Sequence, residues 1–396
     1  MPLAIYVFSL CTFAFGLSEF VVAGLVSAMV GDLSSSVAAV GAAIAAYALG
    51  AAIGAPLLTA ALASWRDRSL MLLTVAVLGV GSLLLASVEQ VLTLHLVRFG
   101  IGLAHGVFMA VAASVAVKLV APAQAGRALS VVWMGLTVSL ALGVPLGTLL
   151  GSFWSWRVIF VALALLACLS LIGLLRWMPV QAGAADAQPG AGLSGLRAVL
   201  LRPLLSVAAV SMLVSVAVFS FFSYVSPYLL EVSQAGPRLL SAGMLLFGAC
   251  TIAGNLVGGY AGDRFAINRC LLLALLMLVV TLMLLYVFRQ SPWTVLGLVG
   301  VLGAVFFAIV TLSTLRLLNL AKSVAPHASG VASGLNIAAF NLGTALGGGL
   351  GGLLIGQLGL AWLPLAGVGA GLLAIAVLLS QTPADVPYEA EAEAQR

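Results

Sequence analysis

Charged side chains in this sequence gather mostly in short loops, and between them lie long apolar runs. Twelve such runs read as helices, at approximately 3–30, 37–62, 69–87, 91–119, 128–151, 158–175, 203–230, 238–262, 270–288, 293–317, 329–356 and 360–380. A helix rises about 1.5 Å per residue, so the first run, over 3–30, is long enough for a hydrocarbon core of about 30 Å. Glycine runs such as Gly347-Gly348-Gly349 fit this reading, because small residues let membrane helices approach closely. The one long soluble segment, Gln181 to Gly195, is rich in Ala, Gly and Pro and reads as a flexible linker.

Composition changes the picture from helical to membrane-embedded. Hydrophobic residues make up 63% of the 396 positions and charged residues 7%, against about 25% charged in an ordinary soluble domain. Only lipid can cover that much apolar surface, so the expected class is an all-α membrane protein, and the linker divides its twelve spans into two six-helix halves. The start of the chain does not read as a cleavable signal, since no Lys or Arg precedes the first apolar run and that run is too long. Cys11, Cys168, Cys250 and Cys270 are scattered without CxxC spacing, and the three histidines form no cluster, so neither a disulfide nor a metal site is expected.

The formal charge of +5 acts on topology, because the basic residues sit between apolar runs, and nucleic-acid binding is not expected. With the N-terminus inside, the cytoplasmic segments hold Arg66, Arg68, Lys118, Arg127, Arg176, Arg197, Arg202, Arg264, Arg269, Arg316, Lys322 and Arg396. The outer loops hold Arg157, Arg238 and Arg289, which predicts both termini in the cytoplasm. The expected organisation is a first bundle over 1–178, a cytoplasmic linker over 179–202, a second bundle over 203–380 and a disordered acidic tail over 381–396. The halves also repeat. Asp67-Arg68 matches Asp263-Arg264 at an offset of 196, and Ala121-Pro122, Gly126, Gly143 and Gly147 match Ala325-Pro326, Gly330, Gly347 and Gly351 at an offset of 204. Parallel six-helix repeats place a substrate between the halves near the midplane.

Candidate chemistry begins with Glu19, a carboxylate near the centre of the first run. A charge at that depth costs roughly 2.5–3.5 kcal/mol on insertion scales, so it needs a role or a partner. Proton binding in a transporter is the expected role; a packing carboxyl kept neutral by burial is the competing one. In span four, Arg98 and His105 are two helical turns apart and share a face. Counted from the outer end, Arg98, Glu19 and His105 lie at depths of about 12, 16 and 22 Å. A guanidinium favours the ionised acid and burial the neutral one, and a balance between them lets Glu19 load and release a proton. A static ion pair between spans one and four is the alternative, and for His105 hydrogen bonding within the bundle competes with proton transfer.

The Asp-Arg loops suggest a conformational latch. Asp263 and Arg264 close the stretch Gly259-Tyr260-Ala261-Gly262, and an aspartate there can accept from a neighbouring helix N-terminus, where the dipole favours negative charge. Asp67 and Arg68 form a degenerate copy, with Ala63 in place of the glycine; a plain turn with topogenic charge is the alternative for both. Gly143, Pro145 and Gly147 predict a bend or a tight crossing in span five. Phe219, Phe222 and Tyr224 in span seven, with Asn336 and Asn341 in span eleven, suit the wall of a cavity for a flat or amphipathic ligand. Interfacial aromatics and helix-joining amides are the other reading.

The twelve-span layout resembles the major facilitator superfamily. Gly259 to Arg264 resembles its cytoplasmic loop motif, Arg98-x3-Gly102-x3-Gly106 its fourth-helix motif, and Gly135 to Gly151 its antiporter motif, with Val144 interrupting the usual Gly-Pro pair. Ser18-Glu19-Phe20, His105-Gly106, Gly143-Val144-Pro145 and Asn336 to Asn341 are similar to bacterial drug:proton antiporters of the arabinose- and sugar-efflux-like branch, near the chloramphenicol exporters. The resemblance implies an inner-membrane protein that is not an enzyme and exports a small organic molecule, a drug, sugar or metabolite, against protons. Glu19 and Arg98 are its matching functional positions. Proton-coupled nutrient uptake is the competing transport reading, and a non-transporting membrane receptor the alternative of another class. No phosphate-binding loop with a following Lys appears, so no nucleotide or other cofactor is expected. The expected partners are a small-molecule substrate, protons and the lipid bilayer, with the chain acting as a monomer.

Overall fold

The computed structural model describes residues 1–62, 64–121, 124–179, 201–324 and 329–381. All regular structure among them is helical, and twelve helices are long and apolar enough to cross a membrane. They are α1 (Leu3–Asp32), α2 (Val37–Ile53, continuing to Ala61), α3 (Asp67–Ala86), α4 (Val91–Lys118), α5 (Ala125–Val138 and Val144–Phe153) and α6 (Trp156–Trp177). The second set is α7 (Arg202–Phe222), α8 (Pro237–Arg264), α9 (Ile267–Val287), α10 (Pro292–Val324), α11 (Ser329–Leu358) and α12 (Leu363–Ser380). Twelve crossings return the chain to the end where it began, so Met1 and Ser380 share one end of the bundle. The core of the expected linker (180–200), the acidic tail (382–396), and Ala63, Pro122, Ala325 and Pro326 of the loop repeats lie outside the described residues.

Local chemistry explains starts and breaks. Ser36 accepts the Ala39 N–H at 3.1 Å and caps α2, and Pro203, Pro237 and Pro364 stand in first turns, where a missing N–H costs nothing. Three π-helical turns occur among the described residues, at Gly54–Leu58, Ser139–Gly143 and Tyr228–Val232, each with a proline in it or within two residues of it: Pro56, Pro145 or Pro227. A proline ring removes one backbone bond and crowds the preceding turn, and a wider turn relieves both. Span seven, expected as one run over 203–230, is therefore broken: α7 ends at Phe222 and Val225–Pro227 restarts the chain before the π turn.

Within each lobe the same helices pair. In the first, α2 packs on α4, α1 on α5 and α3 on α6; in the second, α8 on α10, α7 on α11 and α9 on α12. Glycines bring backbones together at equivalent crossings. A Cβ at Gly102 would lie 2.0 Å from the Tyr47 carbonyl oxygen, and one at Gly254 1.9 Å from that of Ala304. The lobes meet along two seams, α2 with α11 and α5 with α8. These seams are equivalent under the same repeat. A Cβ at Gly248 of α8 would come within 2.0 Å of the Leu140 carbonyl oxygen in α5, and Gly348 of α11 lies against Ala45 of α2.

Arg316 corrects the charge reading. Counted above as a loop cation, it is 2% exposed within α10, in a stretch where Leu317, Leu320 and Ala321 pack on Leu204 and Val207 of α7.

Candidate functional site

The three groups singled out by depth meet inside the first lobe. Glu19 of α1 is 9% exposed, and its Oε2 lies 3.6 Å from His105 Nδ1 of α4. Arg98, fully buried two turns from His105, does not pair with the carboxylate as the static ion-pair reading requires. Its guanidinium donates to main-chain oxygens on two helices: Nη1 to Ser18, Nη2 to Glu19 at 3.2 Å and Nε to Ala43 at 3.3 Å. A carbonyl oxygen carries two lone pairs, so these contacts add to the helical bonds of α1 and α2. The result is an arginine that clamps α1 and α2 to α4 while holding a positive charge beside Glu19.

Tyr47 of α2 completes the cluster. Its ring lies 4.3 Å from the Arg98 guanidinium carbon, an attraction between cation and π face. Its hydroxyl donates to the Phe15 carbonyl at 3.2 Å and sits 3.1 Å from His105 Nδ1. A phenol has one hydrogen, so with that hydrogen on Phe15 the oxygen accepts from His105, which places the imidazole hydrogen on Nδ1. Nδ1–H then faces both the phenol and the Glu19 carboxylate, while Nε2 is buried and meets no hydrogen-bond partner among the described residues. The Phe15 ring stacks on the imidazole at 5.0 Å and 6°, which holds the ring plane. Residue reasoning from the sequence passed over Tyr47. The signal was present: Tyr47 is the sole polar side chain in 37–58, among alanines, glycines and aliphatic residues.

The aromatic residues divide. Phe219 is a hub at the lobe boundary, 6.2 Å from Phe20 of the first lobe, 5.9 Å from Phe222 and 5.8 Å from Phe306 (ring centroids). Phe20 directly follows Glu19, so this hub reaches the acid's own helix. Phe222 stacks on Phe247 at 4.2 Å. Tyr224 is instead wedged into the α2–α11 seam against Gly41 and Gly351, donating to the Gly348 carbonyl at 2.8 Å. Asn336 joins helices, accepting from Ser211 at 2.9 Å and donating to Thr314 at 2.8 Å. Asn341 donates to its own Ile337 carbonyl at 2.9 Å, and its buried Oδ1 meets no hydrogen-bond partner among the described residues.

The remaining candidates lie elsewhere. Asp67 begins α3 and pairs with Lys118 at 3.6 Å, and Arg68 donates to the Leu175 carbonyl of α6 at 2.8 Å; both contacts stay within the first lobe. Arg264 stacks on Tyr260 at 4.7 Å, beside Asp263 at the end of α8. Gly143 ends the π turn of α5, Pro145 follows it, and Gly147 fits against Val21 of α1. Among the described residues no three His, Cys, Asp or Glu side chains gather as metal ligands.

The sequence profile of the Major Facilitator Superfamily matches residues 8–336 and 234–396. This chain belongs to the major facilitator superfamily. It is therefore a multi-pass membrane transporter and not an enzyme. Among superfamily members, it is 34% identical to the inner membrane transport protein YdhP of Escherichia coli (strain K12) over 371 residues, 93% of each chain. It is 33% identical to a chloramphenicol resistance protein of Streptomyces lividans over 348 residues, 88% of each. A probable sugar efflux transporter of Helicobacter pylori (strain G27) shares 28% over 374 residues, 94% of this chain and 93% of that one. The fold matches a crystal structure of a mutant of the nucleoside transporter NupG with a TM-score of 0.76 at 15% identity, covering 96% of this chain and 98% of that one.

Proposed function

We propose that this superfamily member exports a small organic molecule from the cytoplasm in exchange for protons, with Glu19 as the proton-binding group. The observation that carries the reading is the buried contact of Glu19 Oε2 with His105 Nδ1, 3.6 Å, in a pocket whose fixed positive charge is Arg98. Ionised Glu19 balances Arg98; protonated Glu19 leaves that charge uncompensated, so each proton changes the electrostatics at the lobe boundary. Phe20 links that change to Phe219 and Phe306, the aromatic surface proposed to meet cargo, with Phe222 and the free Oδ1 of Asn341 alongside. The bundles 1–178 and 203–380 rock about the α2–α11 and α5–α8 seams, with both termini in the cytoplasm. The proton gradient supplies about 1.4 kcal/mol per pH unit and roughly 2.3 kcal/mol per 100 mV per charge.

Relatives named for chloramphenicol resistance and sugar efflux support export and supply the first cargoes to assay. In proteoliposomes with an imposed pH gradient, Glu19→Gln is expected to abolish uphill accumulation yet retain downhill cargo exchange. Undiminished uphill transport by that variant refutes the assignment.

A further inference from the structure

A cleft in the second lobe lies away from the acid. It is a groove of about 590 Å³ between α8 and α9 with α10 as its floor. Its walls are Gly254, Gly258 and Ala261 of α8 and Leu273 and Met277 of α9, with Ala308 beneath. It exists because α8 and α9 make little direct contact despite a two-residue connection, while glycines draw α8 down onto α10. Val257, Leu273 and Met277 on the rim are more than half exposed, so the groove opens sideways, toward the position of lipid.

Two features identify an occupant. Along α8 the groove runs from Phe265 to Ala253, twelve residues or about 18 Å, against the roughly 15 Å that one leaflet contributes to a core of about 30 Å. It thus matches an acyl chain entering from the end that carries the termini. At that end its lining includes one charged side chain, Arg269, and Arg264 lies one turn beyond Ala261 on the same side of α8. Asp263 is nine residues from Gly254, half a turn around the helix from the groove face. A guanidinium at the mouth of an apolar slot suits a phosphodiester oxygen pair. A second groove, about 390 Å³ between α3 and α4, is walled by Leu73, Val80, Leu84 and Ile101 and has no charged lining residue. It offers nothing to a headgroup and serves as an internal contrast.

We propose that the α8–α9 groove is a binding site for an anionic glycerophospholipid of the leaflet at the terminus-bearing end, with one acyl chain in the groove and its phosphate on Arg269. The lipid replaces the side-chain packing that α8 and α9 lack.

The test is native mass spectrometry of the delipidated full chain titrated with phosphatidylglycerol or phosphatidylcholine of identical acyl chains. A basic residue near a headgroup contributes about 1 kcal/mol, so the wild type is expected to prefer phosphatidylglycerol about fivefold. Arg269→Gln is expected to erase most of that preference while still binding both lipids. Ala253→Phe, which fills the exposed far end of the groove, is expected to weaken both lipids severalfold and leave the preference intact. Equal affinity of the wild type for the two lipids overturns the proposal. So does an unchanged preference in Arg269→Gln, or displacement of the lipid by a transported cargo, which would make the groove a cargo site.

Discussion

At the scale of single residues, the four-member cluster assigns different work to side chains that looked alike from a distance. Arg98 grips backbone on α1 and α2, so its contribution to the site is a fixed charge and a fixed geometry. Tyr47 sets the imidazole hydrogen, and its removal should be felt at His105. Tyr47→Phe keeps the ring over Arg98 but deletes the acceptor for Nδ1–H. The lost hydrogen bond is about 0.5–1.5 kcal/mol, so proton-driven transport should slow by about 2- to 10-fold with an altered pH profile. Proteoliposome rates measured across pH check this, and an unaltered profile at normal rate removes Tyr47 from the site. Depth counting brought Glu19, Arg98 and His105 together correctly, because rise per residue fixes height in a straight membrane helix. It did not fix azimuth, so it did not distinguish His105 from Arg98 as the partner of the Glu19 carboxylate, and Tyr47 went unnoticed. Tyr224 shows the same limit: beside Phe222 in sequence, it lies in the lobe seam.

At the scale of elements, glycines in similar motifs serve two kinds of crossing. Gly135 belongs to a crossing within one lobe, where an added Cβ meets the Ser9 carbonyl oxygen at 2.0 Å. Gly248 belongs to the seam between lobes. Overpacking costs about 1–3 kcal/mol, and where it is felt differs. Gly135→Ala should lower the thermal stability of the protein in any conformation. Gly248→Ala should leave each lobe intact and move the balance between seam-closed and seam-open forms by roughly 5- to 150-fold. Melting curves, together with distances between spin labels on the two lobes, distinguish the cases; a Gly248→Ala protein with wild-type distances and a lowered melting point contradicts the seam assignment. Apart from the end of α10, which runs to Val324 and not to 317, helix ends were legible from the polar breaks to within a few residues. The break after Phe222 was not, because the chain stays apolar through Pro227 and Tyr228 and only backbone geometry ends the helix.

At the scale of the whole molecule, the repeat was readable because equivalent loops kept Asp-Arg and equivalent helices kept glycines at constant offset. The pairing of lobes followed the same symmetry. Arg316 escaped, since a cation near the end of an apolar run looks topogenic whether it reaches water or turns inward. The loop at Asp263 bears on global motion if it latches one arrangement of the lobes. Asp263→Asn should then slow lobe switching, read as a several-fold drop in counterflow rate, with cargo affinity within about twofold of wild type. A loss of affinity at an unchanged rate excludes the latch.

The anchoring of Arg98 to main-chain oxygens has a consequence for energetics. A cation bound to backbone cannot depart with either passenger, so under the proposed assignment the pocket is neutral when Glu19 is ionised and carries one positive charge when the acid is protonated. The membrane voltage then does work on the protonated leg of the cycle and leaves the deprotonated leg untouched. For an uncharged cargo, voltage would accelerate the return stroke alone.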